Sequence, residues 1–263
     1  MLKKDPWIGY IKPGRIFGNL YFVGTHPSSV HLIDTGDGLM LIDTGYLDNL
    51  YLTVQGIWEM GFDPRDIKVI LLSHCHFDHT NGASALQQLS GAKIYLGKDD
   101  AWLCDGKINH CTLPLRPFLP DVLLSDGDTV TLGNTTVTCV TTPGHTDGVM
   151  SFFFDVSDGT RTLRAGMHGG VGLNTLSAEF LTRNALPFEN RDKYFASLDR
   201  LKQEHVDIFI GNHVGNNDTE GKLARVHAGE ADAFIDPTEW PRFLERCQER
   251  LLALIEQEKA ESN

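Results

Sequence analysis

Apolar positions along this chain alternate between a period of two and a period near 3.6, and the switches between them divide it into short strands and amphipathic helices. Residues 20–23, 30–33 and 38–42 are β-rich runs, and Asp34-Thr35-Gly36-Asp37-Gly38 supplies a turn between the last two, which predicts an antiparallel hairpin region. From 47 to 60 the spacing of Leu50, Val54, Ile57 and Trp58 is helical, and Gly61 offers a C-cap before Asp63-Pro64. A continuous apolar run at 67–72 then reads as a strand buried on both faces.

Beyond it the pattern predicts helix at 83–89, extended chain at 93–96 and helix at 98–103. The segment 106–121 holds three prolines and little periodicity, so it reads as an irregular excursion overhanging whatever lies at the strand ends. Strands follow at 129–132, 135–141, 149–154 and 162–165, then a helix at 191–203, a buried strand at 206–210 and helices at 221–228 and 239–259. In the last helix Phe243, Leu244, Leu251, Leu252, Leu254 and Ile255 mark a face for the core. Two echoes of H-T-x-G, His79-Thr80-Asn81-Gly82 and His145-Thr146-Asp147-Gly148, each lie just past a strand and hint at two similar halves.

Chemistry concentrates at one strand end. His74-Cys75-His76-Phe77-Asp78-His79 puts three imidazoles and a carboxylate into six residues directly after the apolar run, a donor set that suits zinc. Two later strands also run into glycine and then histidine: Pro143-Gly144-His145 and Gly211-Asn212-His213. Cys75, between two ligands, should point away from them and pack.

Bulk properties narrow the partners. With 263 residues and 41% hydrophobic content, a globular chain of one large domain or two small ones is expected. Lysine and arginine number 23 against 35 acids, a formal charge of -12, which argues against nucleic acid or an anionic membrane, while divalent cations bound at a site would make it locally positive and keep an anionic small molecule as a plausible substrate. No apolar leader is visible near Met1, which predicts a cytoplasmic protein, or a periplasmic or secreted one where a leader has been removed. Five cysteines without CxxC spacing suggest reduced thiols; a Cys104–Cys111 pair is the less favoured alternative. Nothing in the sequence speaks to oligomeric state.

The order HxHxDH, then Pro143-Gly144-His145-Thr146, then Gly211-Asn212-His213 resembles the metallo-β-lactamase superfamily over nearly the whole chain. So do 19–25, 61–67 and 91–93. The resemblance implies a single domain over 1–263 with an α/β fold of the αββα sandwich type and metals at one edge of two facing sheets. It also implies His74, His76 and His145 around one zinc and Asp78, His79 and His213 around a second.

In most hydrolases of that superfamily an aspartate after the strand ending near 165 bridges the ions. Here Ala165-Gly166-Met167-His168-Gly169-Gly170 carries no carboxylate, a loss that resembles the true β-lactamases and their third subclass. The implied activity is a zinc-dependent opening of the β-lactam amide by a metal-bound hydroxide, with Asp78 orienting the water. Alternatives are hydrolysis of another small ester, lactone or thioester, or a degenerate metal-binding protein. Asn174 and Thr175 are candidates for substrate contact, His168 for substrate contact or a replacement ligand, and Phe118 with Leu119 for an apolar wall.

Overall fold

The structure, a computed structural model, describes residues 5–108 and 113–261. Among them one sheet takes, side by side in chain order, β1 (Gly14–Phe17), β2 (Leu20–Phe22), β3 (His31–Asp34), β4 (Leu39–Ile42), β5 (Ile67–Leu72), β6 (Lys93–Gly97) and β7 (Val122–Leu124). Its first four strands are antiparallel and β4 to β7 are parallel. The second sheet holds β8 (Thr129–Leu132), β9 (Thr135–Thr141), β10 (Met150–Ser157), β11 (Thr162–Met167) and β12 (Ile208–Phe209), with only β11 and β12 parallel. Helices α1 (Leu50–Glu59), α2 (Phe77–Thr80), α3 (Ala83–Ser90), α4 (Ala178–Arg183), α5 (Asn190–Leu201), α6 (Thr219–His227) and α7 (Glu239–Glu261) complete the order.

Strand alternation explains the layering. On β4, Met40 and Ile42 face the core between the sheets, whereas Leu39 and Leu41 face a second core that includes Ile57 of α1 and Leu86 of α3. β10 divides likewise: Phe152 and Phe154 point between the sheets, and Phe153 joins Tyr194 and Leu198 of α5 and the apolar face of α7 in a third core. The result is helices, sheet, sheet, helices: the αββα order. Trp240, Phe243, Leu244, Cys247 and Leu251 form the buried stripe of α7, each contributing about 1.5–3 kcal/mol by burial.

The differences from the sequence pattern are local. Strands β1 and β7 escaped it because three or four residues at a sheet edge carry too little periodicity, and α2 and α4 are too short to show a helical stripe. The expected helix at 98–103 is a 3-10 helix, Lys98–Leu103. Within 106–121, Asn81 Nδ2 donates to the Pro114 carbonyl at 3.2 Å and the Arg116 amide donates to Asn81 Oδ1 at 2.7 Å, so the excursion is pinned to the loop that follows His79.

The wall expected from Phe118 and Leu119 does not form. The Phe118 amide bonds the Cys104 carbonyl at 3.1 Å, its ring packs on the core beneath the helices, and Leu119 is 82% exposed. Cys75, Cys104, Cys139 and Cys247 are buried free thiols, and the Sγ atoms of Cys75 and Cys104 lie 3.8 Å apart on the helix side of the first sheet. Cys111, and with it the Cys104–Cys111 alternative, lies outside the described residues. No helix among the described residues is long and apolar enough to cross a membrane.

Candidate metal centre

The ends of β5, β9, β11 and β12 converge at one edge of the two sheets, and the candidate ligands arrive there from separate loops. His74, His76 and His145 form one group, and Asp78, His79 and His213 a second, with the donor atoms of each group within 4.8 Å of one another. In the first group His76 Nδ1 lies 3.1 Å from His74 Nε2 and 3.0 Å from His145 Nε2. A tetrahedral ion held at roughly 2.0–2.1 Å spaces its nitrogens about 3.3 Å apart, close to this spacing.

Tautomers support the same fit. His74 Nδ1 lies 2.8 Å from the Gly169 carbonyl and His145 Nδ1 lies 2.7 Å from the Gly172 carbonyl. A carbonyl only accepts, so each Nδ1 carries the proton and each Nε2 turns a lone pair toward the gap. Burial pushes His145 down to about 4 and, with the neighbouring imidazoles, holds His74 well below its ordinary value. These rings stay neutral, as metal ligands must.

The second group has a different electrostatic character. Burial works against a charged His79, but the carboxylates of Asp78 and Asp43 outweigh it and carry the imidazole up to about 10. Burial also works against the Asp78 anion, yet His79 and His213 hold that carboxyl well below the usual range. Burial pushes His213 itself down to about 4. His79 Nε2 is buried without a hydrogen-bond partner, 3.4 Å from Asp78 Oδ2, and His213 Nε2 lies 3.6 Å from the same oxygen. Two acids and an orphaned nitrogen make a pocket that asks for positive charge, and a divalent cation supplies it.

Asp43 is the principal residue that sequence reasoning missed. Its Oδ2 accepts from His79 Nδ1 and Ser73 Oγ, each at 2.8 Å, and its Oδ1 accepts from the Ser73 amide at 2.7 Å. It therefore fixes the His79 tautomer and ties β4 to the start of the histidine loop. The signal available was an acid at a strand end in Asp43-Thr44-Gly45, disguised as an ordinary turn; its φ of 61° places it in the left-handed region.

Asp100 was also missed. Buried, it accepts from the Cys75 amide, the Thr146 hydroxyl and the Gly148 amide, all at 2.8 Å, and so joins the first histidine loop to the loop bearing His145. Burial pushes its carboxyl up to about 6, against those three donors. Ser28 donates to Asp78 Oδ2 at 3.1 Å. Gly169 is required where it stands: a Cβ there would meet the Met150 carbonyl oxygen at 1.9 Å, and its own carbonyl also accepts from Asn212 Nδ2 at 2.9 Å.

Other sequence candidates fall differently. Met167 is fully buried among the apolar side chains between the sheets, so β11 sends no side-chain donor toward either group. His168 lies outside both groups; it is 1% exposed, with its ring 5.9 Å from that of Tyr194, and burial pushes it down to about 3. At that burial it is closed to substrate, and its nitrogens belong to neither set of converging donor atoms. Thr175 is 4% exposed with its hydroxyl 3.0 Å from His145 Nδ1, so it braces a ligand from the wall of a narrow cavity, while Asn174 lines the open cleft over both groups.

Fold and donor set together define a class, the metal-dependent hydrolases built on two facing sheets. The sequence profile of the metallo-beta-lactamase superfamily matches residues 23–161, just over half the chain, and the chain belongs to that superfamily. Among solved structures it is similar to BJP-1, a subclass B3 metallo-beta-lactamase of Bradyrhizobium japonicum, at 27% identity and a TM-score of 0.88, covering 98% of this chain and 99% of the other. Among curated relatives it is 26% identical over 155 residues to the probable polyketide biosynthesis zinc-dependent hydrolase PksB of Bacillus subtilis, covering 58% of this chain and 59% of that protein. It is 29% identical over 249 residues to the N-acyl homoserine lactonase AttM of Agrobacterium fabrum, covering 85% and 83%.

Proposed function

We propose that this hydrolase uses two zinc ions to open the amide of β-lactam rings and so inactivates such antibiotics. The observation that carries the reading is the pair of separate ligand groups with Met167, rather than a carboxylate, at the end of β11. The full-length likeness to a subclass B3 enzyme supports it.

His74, His76 and His145 would hold one zinc, and Asp78, His79 and His213 the other. Zinc held there supplies Lewis acidity for a strained carbonyl and makes water acidic enough to react near neutral pH. The protein's own part is positional. The Gly169 and Gly172 carbonyls lock two imidazoles, Asp43 locks His79, and Ser28 steadies the Asp78 carboxylate, which accepts a hydrogen bond from the attacking water and so orients it. No serine or cysteine nucleophile is needed, and Cys75 is buried among apolar neighbours.

The likeness to AttM over most of both chains favours a second reading, opening of a lactone. A panel of nitrocefin, an N-acyl homoserine lactone and a glutathione thioester, run with zinc-loaded protein, separates them. We expect kcat/KM to be highest for nitrocefin. A lactone or thioester turned over faster than nitrocefin would transfer the assignment to that substrate class.

A further inference from the structure

The cysteines among the described residues divide unevenly over the three cores. Cys139 lies between the sheets and Cys247 on the buried stripe of α7, in two different cores. Cys75 and Cys104 share the core on the helix side of the first sheet, with their Sγ atoms 3.8 Å apart. Cys75 stands between two metal ligands, and its amide donates to Asp100 Oδ2 at 2.8 Å. Cys104 follows directly on the 3-10 helix Lys98–Leu103 that carries Asp100.

Both cysteines border a space. Cys75 lines a narrow cavity with Trp102 and Leu115, and that cavity shares His76, His145 and Phe180 with the open cleft over both metal groups. Cys104 borders a separate groove, beside Pro117, Phe118 and Leu123. A small neutral molecule entering from the cleft therefore meets one sulfur with the second already beside it.

A disulfide holds its sulfurs about 2.05 Å apart, so joining these two takes an approach of roughly 1.8 Å. Movement on either side reaches a metal ligand. Cys75 is bonded through the backbone to His74 and His76, and a shift there alters the 3.1 Å spacing of their Nε2 and Nδ1 atoms. Movement of Cys104 pulls the helix before it, and Asp100 passes that pull to the Thr146 hydroxyl and the Gly148 amide, each 2.8 Å away on the loop of His145. A zinc site tolerates about 0.2 Å in its ligand distances, far less than the approach required.

We propose that Cys75 and Cys104 form a modification site for a hydroperoxide, which closes them to a disulfide that loosens the His74, His76 and His145 group. Cys75 gives up its proton and its sulfur attacks one peroxide oxygen; the S–O bond forms, the O–O bond breaks, and the departing hydroxide takes that proton as water. The Cys104 sulfur then attacks the sulfenic sulfur; the S–S bond forms, the S–O bond breaks, and the hydroxyl leaves with the Cys104 proton as a second water. Two thiols lose two electrons and one peroxide gains them. The proposal rests on those three histidines holding a metal, and not on which ring the enzyme opens.

Hydrogen peroxide, applied to zinc-loaded wild-type and Cys111→Ser proteins, tests the pair in two measurements. Peptide mapping after thiol blocking should find Cys75 joined to Cys104 in both. Competition with a zinc chelator should show one equivalent bound about tenfold more weakly, and dithiothreitol should restore it, as it would not after methionine oxidation. Cys75→Ala should give no linked peptide and keep its zinc affinity through the same treatment. Cys104→Ala should keep its affinity too, because a sulfenic acid at Cys75 alone exerts no pull.

Cys75 and Cys104 left unlinked by peroxide, Cys104 joined to Cys111 in place of Cys75, a linkage that leaves zinc affinity unchanged, or an equal loss of affinity in Cys104→Ala would overturn the proposal. Zinc that fails to bind the untreated protein would instead overturn the metal reading beneath it, and the peptide map would still decide the linkage.

Discussion

Asp78→Asn is expected to lower kcat/KM toward nitrocefin about a thousandfold in zinc-loaded protein. The Asp78 carboxylate faces His79 at 3.4 Å and His213 at 3.6 Å and takes the Ser28 hydroxyl at 3.1 Å. Asparagine has nearly the same shape and keeps one oxygen for Ser28. It loses the charge, however, and presents an amide NH₂ where the second oxygen accepted, so it neither accepts a hydrogen bond from water there nor binds a cation well. Circular dichroism and thermal unfolding should remain close to wild type, because Asp78 lies on a loop and short helix and contributes little to the apolar cores. Activity within tenfold of wild type at full zinc occupancy would remove Asp78 from the chemistry.

The second large effect is expected at Asp43. Asp43→Ala should weaken zinc binding at the Asp78, His79 and His213 group by about 10- to 100-fold, the usual range when the partner that orients a ligating imidazole is lost. It should also cost about 3 kcal/mol of stability, because the Ser73 amide and hydroxyl lose a buried charged acceptor. Alanine must in addition adopt the φ of 61° held by Asp43. Competition with a zinc chelator and denaturant unfolding read the two effects separately. Unchanged zinc affinity beside a clear loss of stability would mean that Asp43 only supports the fold.

The contrast between these two residues shows what the sequence could and could not convey. Asp78 was legible because its partners His74, His76 and His79 are neighbours in the chain, and His145 and His213 repeat the arrangement of strand, glycine and histidine. Asp43 sits 36 residues before its partner His79 and inside what reads as a common turn, so only the parallel pairing of β4 with β5 brings them together.

The layered fold was readable because β4, β5 and β10 alternate their apolar side chains between two cores. His168 and Phe118 stand away from the cleft because burial, not residue type, decides whether a polar or aromatic group in a loop reaches it. Each is held by a particular contact: Tyr194 for His168 and the Cys104 carbonyl for Phe118.

A zinc titration of the chelated protein, with bound metal and nitrocefin turnover followed in the same samples, tests the central claim most directly. Two equivalents should bind, and turnover should rise from background as they do and vanish again on chelation. Two bound equivalents with no turnover of nitrocefin, or turnover that persists in metal-free protein, would contradict it.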